Sequence, residues 1–246
     1  MNTVFFKADT YVKLMNFVGI PLVMIYIGLM FVKPWFYGNW SYVHGVWHSW
    51  QSLNVGVLAF VSSLIAFNIS RYNAEQQRKR DYLASKAFLP RSLSELCSFM
   101  KDSSKVYVNA LPKSKTKKTE APEEPLAELD VFKECIRHAR PEVGSYLALI
   151  LMKLQIHNAR MHSVANQPRI NILYGQDCLY SACEIQVLIN YLFDYARGEQ
   201  EYAEPTFGWE DFSTAYRNMG VRFEDIDRLE HITKERIAKS GGKILT

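Results

Sequence analysis

Two long apolar stretches dominate the first third of the chain. Residues 14–32 and about 50–70 carry no Asp, Glu, Lys or Arg, and Lys33 is the only such residue from 14 to 70. An α-helix rises 1.5 Å per residue, so about 20 apolar residues cross a hydrocarbon core of roughly 30 Å. The pattern predicts a transmembrane hairpin over residues 14–70, and its first run is too long for a cleavable signal sequence.

Basic residues at the span ends predict the orientation of this hairpin. Lys7 and Lys13 precede the first span, six Lys and Arg side chains follow the second between residues 71 and 91, and only Lys33 lies between. Positive residues remain cytoplasmic, so both termini, including residues 1–13, are expected on the cytoplasmic side of a bacterial inner membrane. The juxtamembrane cations are expected to meet the anionic lipid bilayer. They include Arg71, Arg78, Lys79 and Arg80.

The segment between the spans, residues 33–50, is rich in aromatic rings. Trp and Tyr side chains at span ends usually settle among the lipid headgroups. We expect an external aromatic loop on the membrane surface rather than a ligand-binding pocket. His44 and His48, one helical turn apart, are expected to belong to this loop rather than to bind a metal ion. The interfacial tryptophans are Trp35, Trp40, Trp47 and Trp50.

Small residues recur along the second span at alternating steps of four and three. This spacing forms a heptad seam, and small residues let helices pack closely in lipid, where packing and interhelical hydrogen bonds drive association. Two partners for the seam are open, the first helix of the same chain and a second copy in a homo-oligomer. The members of this small-residue row are Ser52, Gly56, Ala59, Ser63, Ala66 and Ser70.

Polar residues within the spans predict further contacts. An antiparallel hairpin brings Asn16 to the depth of Asn68, near the cytoplasmic face, where the two amides can hydrogen-bond. Asn54 has no obvious partner. A wet pore lined by Asn and Ser is the less favoured interpretation, because uncharged polar residues commonly serve helix packing.

Helical periodicity continues through the remainder of the chain, without convincing strand alternation. Residues 71–109 are predicted to form a juxtamembrane helical segment that continues the second span and later carries an apolar stripe. Residues 110–127, rich in Lys, Glu and Pro, predict a flexible linker. Residues 128–246 predict a cytoplasmic helical domain.

Two helices are expected to form the core of that domain. Pro141 begins the first, whose inner face is expected to include Leu154 and Asn158. The second covers about residues 176–197 and ends at Gly198. The last residues, SGGKILT, are expected to be loose. The sequence thus predicts an all-α membrane protein, with an N-terminal two-helix transmembrane hairpin followed by a cytoplasmic helical bundle.

Composition and motifs argue against several classes of function. The positive-inside bias accounts for the net charge of +4, so no direct nucleic-acid binding is expected. No glycine-rich phosphate loop, H-E-x-x-H or G-x-S-x-G motif occurs, so no enzyme, catalytic residue or cofactor is expected. Cys178 and Cys183 are five residues apart, as are His157 and His162. That spacing turns the paired side chains apart on a helix, which favours core cysteines and surface histidines over metal ligands.

A resemblance adds a more specific expectation. The run FNISRYNAEQQRKRDYLASKAFLPRSLSELCSFM, with the charge-free hairpin and the helical domain, resembles in layout small bacterial two-span inner-membrane proteins, including effectors of retron-type anti-phage defence systems. The resemblance covers mainly residues 14–108 and includes no catalytic motif. It implies a toxin-like effector that partner components hold inactive, such as a reverse transcriptase with its RNA and DNA product. Release on infection would then perturb the membrane.

A second class of function fits the same residues. A membrane-anchored adaptor or sensor would use the hairpin only as a tether, and its helical domain would recruit a soluble partner. The effector interpretation predicts that replacing the hairpin with another two-span anchor abolishes activity, whereas the adaptor interpretation predicts that activity survives. A lipid-modifying enzyme is disfavoured because no set of nucleophile, base and anion-binding groups lies near the interface.

Overall fold

The computed structural model describes residues 2–112, 119–226 and 228–244, with side chains from Leu14 onward except those of Met15 and Asp225. Within these ranges the protein is helical and contains no strand. The chain divides into two compact units, Met1–Gln76 and Gln77–Thr246. The helices are α1 (Asn2–Ile27), α2 (Lys33–Ser49), α3 (Gln51–Lys86), α4 (Leu89–Ala110), α5 (Leu126–His138), α6 (Pro141–Ala165), α7 (Ile172–Arg197), α8 (Trp209–Asn218) and α9 (Leu229–Ser240).

Two helical stretches, Asn16–Ser49 and Gln51–Lys86, are long and apolar enough to cross a membrane. Only 17% and 6% of their most apolar windows are buried within the protein. A helix that is apolar on all sides is normally buried, but the rest of this unit leaves most of these apolar side chains exposed. The hairpin therefore has the surface that lipid would cover.

The segment 33–50 differs from the loop expected for it, because Lys33–Ser49 is helical on both sides of a break at Gly38 and Asn39. The Phe31 and Trp47 rings lie 4.8 Å apart. A straight helix would separate these residues by roughly 24 Å, so the chain reverses at the break. Asn39 has a φ of 63°, in the left-handed region that Asn tolerates. The turn of the hairpin is therefore two residues long.

A π-helical turn, Gly28–Val32, connects α1 to α2 and ends two residues before Pro34. Pro34 has no N–H to donate, and its ring conflicts with the carbonyl four residues earlier in an α-helix. The Lys33 N–H donates instead to the carbonyl of Gly28, five residues back. Such a turn keeps the helix hydrogen-bonded up to the proline, as an apolar environment requires.

The second unit is built around α7, which packs against α4, α6 and α8, while α5 packs against α4 and α6. Pro141 begins α6, and Gly198, with a φ of 80°, follows the last residue of α7, both as predicted. The side chains at the centre of this core are 0% exposed. They include Leu93, Leu96, Met100, Tyr107, Phe132, Leu147, Ile150, Leu179, Leu192 and Tyr216.

The helical domain begins earlier than the predicted residue 128. Leu89 and Leu93 of α4 belong to the same buried core as α5, α6 and α7, so the predicted juxtamembrane segment 71–109 contains the end of α3 and most of a domain helix. Of the predicted linker 110–127, residues 113–118 lie outside the described part, and residues 119–125 have no regular secondary structure. Thr119 accepts a 2.6 Å hydrogen bond from Asn109 Nδ2.

The C-terminal segment is not loose, contrary to expectation, as far as Ile244. The Phe207 N–H donates to the carbonyl of Gly242 at 2.8 Å, and the Gly242 N–H donates to the carbonyl of Ile237 at 3.1 Å. Gly242 has a φ of 76°, and a Cβ at this position would lie 2.7 Å from the Phe207 oxygen. Glycine thus permits the turn and the close approach of the two backbones. Residues 245–246 lie outside the described part.

Candidate functional site: two faces of the hairpin

The inner face of the hairpin is the side of α3 that packs against α1. Tyr26 Oη donates a 2.6 Å hydrogen bond to Asn54 Oδ1, and Asn54 Nδ2 donates a 3.0 Å bond to the carbonyl of Trp47. Asn54 is only 3% exposed, and both ends of its amide have hydrogen-bond partners within the protein. The partner that the sequence did not indicate for Asn54 is Tyr26.

Asn16 and Asn68 form a second polar contact on the inner face. Each amide nitrogen donates to the other residue's Oδ1 at 3.3 Å, and Asn68 Nδ2 also donates to the carbonyl of Leu64 at 2.9 Å. The predicted contact between Asn16 and Asn68 is confirmed. Gly19 lies between the two polar contacts, and a Cβ added there would lie 3.3 Å from Leu64 Cδ1. This glycine therefore sets how closely the helices approach.

The outer face of α3 carries the small-residue row, and all six of its members are exposed. At 100° per residue the row is centred roughly 160° around the helix from the inner positions 54, 57, 61, 64 and 68. A Cβ added at Gly56 would meet no atom within 4 Å. The first helix of the same chain is therefore not the partner of this row. Packing against a second copy stays a prediction.

Hydrogen bonding along the outer face stays within the helix. Ser63 Oγ donates to the carbonyl of Ala59 at 2.9 Å, so this hydroxyl can face lipid or another helix without an unsatisfied group. The same arrangement recurs in α2, where Ser49 Oγ donates to the carbonyl of Gly45 at 2.9 Å. Gly45 and Ser49 are exposed and continue the four-and-three spacing toward the turn. This extension was missed because residues 33–50 were expected to form a loop.

Of the predicted interfacial aromatics, Trp35, Trp40 and Trp47 lie within α2, and Trp50 lies between α2 and α3. Trp35, Trp40 and Trp50 are 54–64% exposed. Trp47 differs, because its ring packs against Phe31 and its indole nitrogen is buried without a hydrogen-bond partner. The predicted basic residues all lie on α3 and are exposed: Arg71, Arg78, Lys79 and Arg80.

The second unit carries one buried ionisable residue that the sequence interpretation placed on the surface. His157 is 3% exposed, whereas His162 is exposed as expected. Tyr107 Oη lies 3.3 Å from His157 Nδ1, while Nε2 has no partner. Burial, with a smaller contribution from the positive charge of Arg160, lowers the pKa of His157 to about 4. The imidazole is therefore neutral at physiological pH.

Cys178 and Cys183 are core residues, as predicted. They are 2% and 0% exposed, and burial raises the pKa of both thiols. Buried thiols of this kind are weak nucleophiles. Over the part of the chain that the structure describes, no group of three or more His, Cys, Asp or Glu side chains could hold a metal ion.

Compared with known proteins, the chain matches no family model, no curated protein and no solved structure.

Proposed function

We propose that this protein is a bacterial inner-membrane effector of anti-phage defence. In this proposal both termini are cytoplasmic, hairpins of several copies associate through their outer faces, and the assembly perturbs the membrane. A partner component holds the protein inactive until infection. The layout resemblance suggests a protein or ribonucleoprotein partner, such as a reverse transcriptase with its RNA and DNA product.

The observation that carries this proposal is the exposure of the small-residue row opposite the inner face. Intramolecular packing already uses Gly19, the Asn16–Asn68 pair and the hydrogen bond from Tyr26 to Asn54. The small-residue row does not pack against α1, yet its residues are the types that let membrane helices approach closely. A hairpin that served only as a tether would need no second face of this composition.

The outer row also supports tight packing more than a wet pore. The Ser63 hydroxyl donates within its own helix, so it needs no water. Close helix approach through Gly56, Ala59 and Ser63 would bring backbones together without opening an aqueous path. The proposed perturbation is therefore ion leakage through lipid disturbed by the assembled hairpins, rather than through a water-filled path along the row itself.

The experiment compares self-association of donor- and acceptor-labelled full-length chains in lipid vesicles by energy transfer. The wild type is expected to show concentration-dependent transfer, and Gly56→Leu or Ser63→Leu is expected to reduce it at least fivefold. Gly28→Leu is the matched control, because a Cβ added at Gly28 also meets no atom within 4 Å and the residue lies outside the row. Equal transfer in all four proteins would overturn the proposed assembly.

A membrane-anchored adaptor is the second candidate, and a specific observation favours it. Residues 77–246 form a compact unit with a contiguous core of their own, which suits a domain that recruits a soluble partner. Replacement of residues 14–70 by an unrelated two-span anchor separates the candidates. Loss of activity with retained membrane insertion supports the effector, and retained activity supports the adaptor.

A further inference from the structure

A cavity of about 180 Å³ lies in the second unit, where α6 and α7 meet near the C-terminal half of α4. Its lining combines the neutral imidazole of His157 with the charged groups of Lys153, Arg160 and Glu184. His157 is the buried residue whose Nε2 has no hydrogen-bond partner. A buried nitrogen without a partner costs free energy unless a ligand or water satisfies it.

The charges around this cavity favour a ligand with one negative charge. Lys153 Nζ lies 3.2 Å from Glu184 Oε2, and both side chains are mostly buried, so these two charges largely offset each other. Arg160 remains as the excess cation. One of its guanidinium nitrogens donates to Ser181 Oγ at 3.3 Å. The other N–H groups of the guanidinium can donate hydrogen bonds to an oxyanion. A phosphate monoester carries about −1.5 to −2 at pH 7, more than this lining balances.

The remaining walls and the volume restrict the ligand further. Ile156 and Ile185 line the cavity beside the polar groups, which suits a short apolar body. An engineered cavity of about 150 Å³ in another protein holds benzene, so the present volume suits a ligand of about that size. A singly charged head on a small apolar body describes a short organic carboxylate.

We propose that this cavity binds a small organic monocarboxylate, with its carboxylate against Arg160 and Ser181 and its apolar body between Ile156 and Ile185. His157 lines the same cavity, and donation from its Nε2 to the carboxylate requires the Tyr107 hydroxyl, which lies 3.3 Å from both His157 Nδ1 and the His157 carbonyl, to donate to Nδ1. The site lies wholly within the helical unit, so the test of ligand binding does not depend on the proposed action of the hairpin. It gives the helical domain a small-molecule ligand as well as a macromolecular partner.

The test is equilibrium dialysis of radiolabelled isobutyrate against the full-length chain in lipid nanodiscs, with empty nanodiscs subtracted. Saturable binding is expected for the wild type, and Arg160→Gln is expected to weaken it at least tenfold because a charged hydrogen bond is lost. Ser181→Ala, a milder change, is expected to weaken it several-fold. Arg217→Gln is the matched control, because Arg217 lies on α8 outside the cavity.

Isobutyramide and inorganic phosphate, each as a competitor, complete the test. Isobutyramide has the shape of isobutyrate without its charge, so it is expected to compete at least tenfold more weakly than unlabelled isobutyrate. Inorganic phosphate is also expected to compete at least tenfold more weakly, because it carries more negative charge than the lining balances. Equal competition by isobutyramide, stronger competition by phosphate, equal binding to Arg160→Gln, or no saturable binding to the wild type would each overturn the proposal.

Discussion

Asn16 and Asn68 exchange side-chain hydrogen bonds at 3.3 Å across the two long apolar helices. Each amide supplies a donor and an acceptor to the other, so neither needs water on that side. Asn16→Leu is expected to destabilise the hairpin by about 0.6 kcal/mol and by no more than about 1.7 kcal/mol, the average and the largest values for interhelical polar contacts in membranes. The free energy of helix separation, measured by steric trapping in lipid bilayers, checks this value.

The double variant Asn16→Leu/Asn68→Leu provides the control for that prediction. Removing both amides leaves no polar group without its partner, so the double variant is expected to be less destabilised than the sum of the two single variants. Additive losses would show that the two asparagines do not act as a pair.

Two glycines on opposite faces of the hairpin are expected to tolerate a leucine to different degrees. Gly19→Leu is expected to force α1 and α3 apart and to cost about 1–3 kcal/mol of hairpin stability, because even a Cβ there lies 3.3 Å from Leu64. Gly56→Leu is expected to leave hairpin stability within about 0.5 kcal/mol of wild type, since the added side chain enters open space. Steric trapping measures both, and equal losses would contradict the assignment of the two faces.

The reversal at Gly38 and Asn39 predicts a sensitive glycine. A Cβ at Gly38 would lie 2.6 Å from Tyr42 Cβ, whereas one at Gly45 would meet nothing within 4 Å. Gly38→Ala is therefore expected to disturb the turn and to reduce hairpin stability by about 1–3 kcal/mol, while Gly45→Ala is neutral or slightly stabilising. The same unfolding assay tests both variants. A Gly38→Ala protein as stable as Gly45→Ala would argue against the two-residue turn.

His157 predicts a pH dependence of the helical domain. Its pKa is about 4 in the folded protein, against an ordinary value of 6.5. The unfolded chain therefore binds a proton between these values that the folded chain does not, so stability falls as pH drops from about 6.5 toward 4. The largest loss from this residue is about 3 kcal/mol. Hydrogen exchange of the α6 amides, corrected for the intrinsic effect of pH, reports the change.

His162 supplies the comparison for this experiment, because it lies on the same helix but is exposed. His157→Gln is expected to reduce the loss of protection in α6 between pH 6.5 and 4.5, and His162→Gln is expected to keep the wild-type loss. The same slope in the wild type and His157→Gln would show that carboxylates elsewhere cause the dependence.

Periodicity was sufficient for the helical class and for many helix boundaries in the second unit. The prediction was wrong for the inner face of α6, where the three- and four-residue spacing was not followed at one position. The inner face of α6 runs through Leu147, Ile150, Leu154, His157 and Met161 at regular three- and four-residue steps, which places the histidine inside. The sequence interpretation put Asn158 on this face instead and placed His157 at the surface.

The contacts of the hairpin show a similar division. Equal depth in an antiparallel pair was enough to predict Asn16 and Asn68. Tyr26 and Asn54 required the true position of the turn, which the aromatic composition of residues 33–50 concealed. Gly38 and Asn39 are themselves a turn signal, and using them would have extended the second helix and its small-residue row toward Gly45.

The proposed action of the hairpin's outer face in the membrane can be measured in living bacteria. A voltage-sensitive dye measures it most directly, in bacteria induced to make the wild type, Gly56→Leu or Gly28→Leu at equal membrane levels and without neighbouring genes. We expect rapid depolarisation with the wild type and Gly28→Leu and none with Gly56→Leu. An unchanged membrane potential in all three strains, or equal depolarisation in all three, would contradict it.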